Sequence, residues 1–310
     1  MVKLLWGIIK STRPRQWIKN FAVFAAVIFS GTLFDQNALT TSIIAFVLFC
    51  AFSSATYLLN DVFDIDRDKL HPFKRKRPIA SGLVPVPLAT SLALFTIIVA
   101  LPLSYKLSPA FFFASLAYLI LQLFYSVILK QIILIDVLVI AAGFVLRVYG
   151  GVWAIDAHLN VWFLLSVTSF ALFLAIGKRR SELTLMQGQA PSHRETLLHY
   201  PENLLDILTS MFATAAWLTY AFFAFLQPPI QTTKLVSNLL GGLALPFTEA
   251  KFLMVTIPVV IYAVMRYLYI IYEKKEGESP ERVLLSDKPL LTTVVLWLFL
   301  VIGINYYLGA

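Results

Sequence analysis

The feature that most constrains this chain is the length of its unbroken apolar blocks. Nine of them run over residues 17–34, 39–59, 88–106, 109–129, 132–154, 160–177, 204–226, 250–272 and 289–308. Each comes close to the ~20 residues that an α-helix needs to cross the hydrocarbon of a bilayer. The blocks lack a two-residue alternation and are too long for strands. Glycine and proline inside them are tolerable where neighbouring helices satisfy the freed backbone groups. Composition closes the other options. The chain is 59% hydrophobic and 14% charged, with a mean hydropathy of +0.80, whereas soluble domains carry about 25% charged residues. A soluble globular enzyme, a disordered chain and a disulfide scaffold are therefore excluded. The single cysteine, Cys50, lies inside an apolar block, so no thiol framework and no cysteine metal site is expected. The expected fold class is an all-α polytopic membrane protein with nine transmembrane helices, forming one integral membrane domain over residues 1–310.

Basic residues orient it. Twenty of the 25 lysines and arginines fall at residue 19 or earlier, in the loops 60–87 and 178–203, at Lys130 or in 273–288. The opposite side has only Lys106, Lys234 and Lys251, and Arg147 and Arg266 lie within spans. That asymmetry places the N-terminus in the cytoplasm, the C-terminus outside and the chain in a cell inner membrane. The net charge of +8 then reflects loops facing anionic lipid, and nucleic acid is not an expected partner. Residues 1–12 mix Val2, Leu4, Leu5, Trp6, Ile8 and Ile9 with Lys3 and Lys10, which reads as a short interfacial helix and not as a cleavable leader.

The most informative stretch is Asn60-Asp61-Val62-Phe63-Asp64-Ile65-Asp66-Arg67-Asp68, at the cytoplasmic end of the second span. If the helix continues, Asn60, Asp64 and Asp68 fall on one face with Asp61 beside them, and Asp66 points elsewhere. Carboxylates this close repel unless a cation neutralises them. Hard oxygen ligands on one face suit Mg²⁺, which keeps several waters and shares the phosphate oxygens of a substrate. The plainer reading is a solvated acidic helix end that balances the basic run behind it. That run, His71-Pro72-Phe73-Lys74-Arg75-Lys76-Arg77-Pro78, in turn fits either phosphate binding or topology and lipid contact.

These motifs resemble the UbiA superfamily of intramembrane prenyltransferases. Asn60, Asp61, Asp64 and Asp68 match its first signature, an NDxxDxxxD pattern after the second span. The resemblance covers essentially the whole chain and implies a helical ring around a central cavity open to the cytoplasm and the bilayer. Ordinary members carry a second acidic motif after the sixth span. Here that place reads Gly177-Lys178-Arg179-Arg180-Ser181-Glu182. Together with Arg13-Pro14-Arg15-Gln16-Trp17-Ile18-Lys19-Asn20, this is similar to the decaprenyl-phosphate phosphoribosyltransferase branch. In that branch a polyprenyl phosphate attacks C1 of 5-phosphoribosyl 1-diphosphate and displaces pyrophosphate. The product is in some bacteria a precursor for cell wall biosynthesis.

The resemblance implies site roles. Asn60, Asp64 and Asp68 would hold Mg²⁺, with Asp61, Asp64 and Asp68 serving the chemistry. Lys178, Arg179 and the run Lys74, Arg75 and Arg77 are candidates for the donor's 5-phosphate, and Arg15 and Lys19 for the lipid phosphate. A phosphate monoester is already anionic at neutral pH, so no strong general base is needed. Tyr125, Lys130 and Arg147 are further substrate-contact candidates. For each, a structural role stands beside the functional one: interface aromatic, topology anchor, and buried pair with another helix. Asp136 is a second intramembrane charge. Gly143, Gly150 and Gly151 read as sites of close helix packing. His71, His193 and His199 lack metal-ligand spacing and read as solvated. Membrane lipid is the other expected partner, and self-association into a homo-oligomer is left open. The rival readings are a prenyltransferase acting on an aromatic or lipid acceptor and a non-catalytic transporter.

Overall fold

In a computed structural model the structure describes residues 2–70, 74–186, 200–227, 251–274 and 280–308. His71, His193 and His199 lie outside the described residues. Every regular element among the described residues is helical. In chain order they are α1 (Val2–Ser11), a 3₁₀ helix (Pro14–Phe24) running into one helical turn (Ala25–Phe29), α2 (Gln36–Phe63), α3 (Ile65–Leu70), α4 (Val86–Leu107), α5 (Pro109–Val127), α6 (Ile135–Ala154), α7 (Val161–Met186), α8 (Glu202–Leu226), α9 (Ile257–Tyr269), α10 (Pro280–Ser286) and α11 (Lys288–Gly303). Short 3₁₀ and π turns extend several of them, and eight of the resulting helical runs are long and apolar enough to span a bilayer.

Local chemistry sets many of the helix starts. Asp35 caps α2 by accepting from the Ala38 N–H at 2.7 Å. Ser108 caps α5 ahead of Pro109 and also donates to the Trp153 carbonyl at 2.8 Å. Asp287 caps α11, with Pro289 in its first turn. These are the side-chain oxygens and prolines that supply or dispense with the orphan N–H groups of a helix start. Along the spans, large apolar side chains such as Phe95, Ile98, Val295 and Phe299 are well exposed. The most hydrophobic stretch of α4 has only 17% of its residues buried. Surfaces of that kind are stable against lipid and not against water.

The expected first span, 17–34, takes an unexpected form. It is not one α-helix but eleven residues of 3₁₀ helix and a single further turn. That is why eight continuous helices, and not nine, qualify as spans among the described residues. Runs of 3₁₀ longer than three or four residues are uncommon, and side chains three apart eclipse in them. Here that eclipsing aligns Trp17, Asn20 and Val23 in one stripe. The Trp17 indole N–H donates to Ser54 Oγ at 3.0 Å. Asn20 donates to Cys50 Sγ and Ser53 Oγ, both at 3.2 Å. Val23 is fully buried against the Phe49 and Phe111 cluster. An α-helix would rotate one of the three off that face.

The chain forms two compact units. The first comprises residues 1–27, 32–158 and 185–201. Its core stacks Phe49 edge-on to Phe111 and Tyr118, with ring centroids 5.5 Å apart in both pairs. A second cluster, around Leu58, Ile79, Val84 and Ala89, takes in Leu4 and Ile8 of α1. Close approach is built on glycine: a methyl group at Gly151 would lie 2.0 Å from the Val23 carbonyl oxygen, and one at Gly150 2.4 Å from the Phe49 ring. The second unit comprises residues 28–31, 159–184 and 202–310. Its core gathers Phe173, Ala213, Val264, Tyr267, Ile271 and Leu290. Arg266 grips the cap of α11, its Nε and NH2 donating to the two oxygens of Asp287 at 3.0 and 2.8 Å.

Candidate active site

The acidic motif straddles the end of α2. The helix does not run through it. At Asp64, with φ −93° and ψ 7°, the chain breaks and restarts as α3. Hydrogen bonding nevertheless carries across the break, from the Asp64 N–H to the Asn60 carbonyl at 3.0 Å and from the Asp68 N–H to the Asp64 carbonyl at 2.8 Å. The four-residue spacing therefore survives while the axis shifts. Asp61 and Asp68 end up buried, Asp64 half-buried and Asp66 exposed, the last as the spacing predicts.

Buried carboxylates need counter-charge, and three basic side chains from separate elements supply it. Arg77 NH1 donates to Asp61 Oδ1 at 3.1 Å and to Asp68 Oδ2 at 2.6 Å, so one guanidinium nitrogen bridges both. Arg13 NH2 donates to the same Asp61 oxygen at 2.5 Å, with its guanidinium 4.8 Å from the Tyr57 ring centroid. Lys130, itself buried, donates to Asp64 Oδ1 at 2.6 Å. Three carboxylates thus face three cations at the end of α2. Exposed Asp66 only approaches Lys69, at 3.5 Å.

The donor set suits a hard divalent ion. It is all oxygen, and the bridging Arg77 nitrogen marks a point where two carboxylates from either side of the helix break converge on positive charge. The grouping differs from the expected one in its members. Asp61 and Asp68 meet, while Asp64 is drawn toward Lys130. As placed, no three carboxylate, imidazole or thiol groups among the described residues share one position. A bound ion would therefore draw on Asp61 and Asp68, with Asn60 and Asp64 at the same helix end, and complete its shell with water and substrate oxygens.

The other expected contacts separate into groups. Arg77 and Lys130 sit at the rim, through the carboxylates they hold. Lys74 lies half-buried and Arg75 exposed on the short 3₁₀ turn Lys74–Lys76 just before Arg77. Arg15 is exposed and Lys19 half-buried on the 3₁₀ helix, and Tyr125 is half-buried near the end of α5. Arg147 is buried, but not against an anion among its hydrogen-bond partners. Its Nε donates to Asn20 Oδ1 at 2.7 Å, NH1 to the Gly143 carbonyl at 2.7 Å and NH2 to the Tyr118 hydroxyl at 2.9 Å. That geometry ties α6 to α5 and to the 3₁₀ helix, the structural alternative weighed for it. Asp136 is likewise engaged. It accepts from the Tyr200 hydroxyl at 2.7 Å, and that hydroxyl accepts from the Leu134 N–H at 2.6 Å. Leu134 has a positive φ of 66°, unusual for a leucine, and the tyrosine pins the turn that contains it.

Lys178 and Arg179 belong to the second unit and lie on α7. The stretch expected to open a loop at 178 is helical through Met186. Arg179 is buried and donates to Glu182 at 2.5 Å, with Lys178 3.7 Å from the same carboxylate. Arg180 pairs with Glu202 and Asp206 at 2.6 Å each. Gly177 packs under Ile271, which would lie 2.6 Å from an added methyl group. The residue that sequence reasoning left out of the site is Arg13. It stands in the quoted Arg13-Pro14 motif, and its signal is the proline after it. Proline starts the 3₁₀ helix and leaves Arg13 as a left-handed junction residue with φ 52°, turned to Asp61.

Fold and site define a helical integral membrane protein with a neutralised acidic rim at one helix end. The chain belongs to the UbiA prenyltransferase family, whose model matches residues 20–286. Among curated proteins it is 34% identical over 304 residues to the decaprenyl-phosphate phosphoribosyltransferase of Corynebacterium glutamicum, covering 97% of this chain and 87% of that one. It is also 34% identical to the Mycolicibacterium smegmatis enzyme of the same name, over 95% of this chain and 91% of that one. Among solved structures, a UbiA homologue from Archaeoglobus fulgidus bound to GPP and Mg²⁺ superposes with a TM-score of 0.69 at 18% identity, covering 96% of this chain and 99% of that one. That likeness concerns the fold.

Proposed function

We propose that this protein transfers the 5-phosphoribosyl group of 5-phosphoribosyl 1-diphosphate to a polyprenyl phosphate, releasing pyrophosphate, with Mg²⁺ as cofactor. The observation that carries the reading is the near-full-length likeness to two enzymes named decaprenyl-phosphate phosphoribosyltransferase. The basic run Lys178-Arg179-Arg180 supports it. A prenyl donor offers one diphosphate and an apolar tail, whereas this donor adds a separate 5-phosphate that needs its own cations.

The step balances without a base. A phosphate oxygen of the lipid forms a bond to C1 as the bond from C1 to the diphosphate oxygen breaks, and the electron pair leaves with pyrophosphate. Positive charge develops on the sugar ring as in glycoside cleavage. Asp61 and Asp68, with Asn60 and Asp64 beside them, would hold the ion, whose charge would offset that of the departing pyrophosphate. Arg77 and Arg13 bring guanidinium groups to the same place, and Lys74 and Arg75 precede Arg77 on the short turn. Lys178, part-exposed on α7, and Arg179 serve the 5-phosphate. Arg15 and Lys19 serve the lipid phosphate at the headgroup plane. The N-terminus and the rim face the cytoplasm, where a water-soluble donor is available, and the membrane is the cell inner membrane.

The test is the mass of the lipid product. Membranes containing the protein are given labelled 5-phosphoribosyl 1-diphosphate with a polyprenyl phosphate, and in a parallel reaction a prenyl diphosphate with an aromatic acceptor. A polyprenyl-phosphoryl 5-phosphoribose in the first reaction is expected. Product only in the second would replace this reading with prenyl transfer.

A further inference from the structure

We propose that Arg13 and Arg77 are exchangeable counter-ions. Before substrate arrives Arg13 holds Asp61 and Arg77 holds both Asp61 and Asp68, and each turns to a phosphate of the donor when a divalent ion takes the carboxylates over. The identity of the ligand rests on the function proposed above. The exchange itself rests on the geometry of the rim.

Exposure shows which partner is free to move. The Asp61 and Asp68 side chains are 3% and 4% exposed, but those of Arg13 and Arg77 are 26% and 27% exposed. The carboxylates are fixed inside the protein, and the guanidiniums reach them from a more open side. Arg77 also lies where an ion would. One of its nitrogens already touches an oxygen of each carboxylate, so guanidinium and ion compete for the same two ligands. Arg13 has a second place to rest its charge, over the Tyr57 ring. Lys130 differs from both. Its side chain is 6% exposed, and it remains with Asp64.

Charge then dictates the order of events. Three carboxylates against three cations leave the rim neutral. Arg77 yields the carboxylates to a divalent ion only if its own charge finds another anion. A diphosphate arriving alone finds both guanidiniums occupied. Ion and diphosphate therefore bind weakly apart and tightly together. Such coupling is reciprocal: each raises the affinity of the other by the same factor.

The experiment uses the full chain in lipid nanodiscs. Binding of Mn²⁺ alone is followed by loss of its free-ion electron paramagnetic resonance signal. Binding of radiolabelled pyrophosphate is followed by equilibrium dialysis with and without Mn²⁺. Wild-type protein should bind pyrophosphate about ten-fold tighter when Mn²⁺ is present. Arg77→Gln should bind Mn²⁺ alone about ten-fold tighter than wild type, because its competitor is gone, and should bind pyrophosphate more weakly at saturating Mn²⁺. Arg13→Gln should move both quantities in the same directions. Arg77→Lys, which keeps a competing cation, should stay nearer to wild type for Mn²⁺ alone. Neither glutamine variant binding Mn²⁺ more tightly than wild type would overturn the exchange. If the exchange appears but no phosphoribosyl lipid forms, the substrate assignment falls and the role of the two arginines stands.

Discussion

Gly151→Ala should open the seam between α6 and the 3₁₀ helix, and the size of the effect follows from the structure. The added methyl would lie 2.0 Å from the Val23 carbonyl oxygen. Real contacts of this kind stay beyond 3.0 Å, so the two backbones must part by about 1 Å. Both sides are main chain, with no flexible side-chain end to give way. Overpacking of this severity costs about 3 kcal/mol, and alanine's better helix propensity returns about 1 kcal/mol. The net of about 2 kcal/mol corresponds to about a 30-fold rise in the population of the opened seam. A reporter is already in place. Cys50 is the chain's single cysteine, buried, and receives the Asn20 amide on its sulfur at 3.2 Å. Val23 and Asn20 share one 3₁₀ helix, so lifting one lifts the other off Cys50. In nanodiscs a membrane-permeant maleimide dye should label Cys50 in Gly151→Ala about 30-fold faster than in wild type. Gly143→Ala is the contrast. Its methyl would meet side chains and no backbone, the ends of Gln122 and Arg147 at 3.2 and 3.4 Å and the Tyr118 ring at 3.9 Å, and labelling should stay within about three-fold of wild type. Wild-type labelling in Gly151→Ala would refute the packing argument.

Three further outcomes are expected. Asp68→Asn should abolish phosphoribosyl transfer in membranes while Asp66→Asn, altering a side chain 92% exposed, leaves product formation near normal; equal losses would detach the chemistry from the buried face. Chelation of divalent ions should reduce turnover to background and Mg²⁺ should restore it, whereas turnover unchanged after chelation would remove the ion from the reaction. Tyr200→Phe removes one donor from buried Asp136 and the hydroxyl that accepts the Leu134 N–H, so a loss of about 1–3 kcal/mol is expected, read as a lower thermal midpoint. An unchanged midpoint would show that the tyrosine does not hold the turn.

What the sequence made legible was whatever is written locally. Apolar block length located the spans, and close packing at Gly150 and Gly151 followed from small residues on an apolar helix. The spacing of Asn60, Asp64 and Asp68 survived as hydrogen bonding across the helix break. Pairings over long separations were not legible. Arg13 finds Asp61 across 48 residues and Lys130 finds Asp64 across 66, and no periodicity encodes either. The 3₁₀ winding of the first apolar block was hidden for a similar reason. Its apolar content suits either helix, and the choice is made by partners on α2 and α6. Arg147 kept two readings from sequence because an intramembrane charge says that a partner is needed without saying which. Neutral Asn20, Gly143 and Tyr118 turned out to fill that role.

The winding of Pro14–Phe24 also acts as a ruler. At about 2.0 Å per residue its eleven residues reach about 22 Å, where an α-helix would reach about 17 Å. The segment is moored near both ends, by Arg13 to Asp61 and by Val23 beneath Gly151. Rewound as an α-helix it would fall roughly 5 Å short of one mooring, so the distance between the two anchors selects the winding, and any insertion or deletion between them would force the tether to let go at one end.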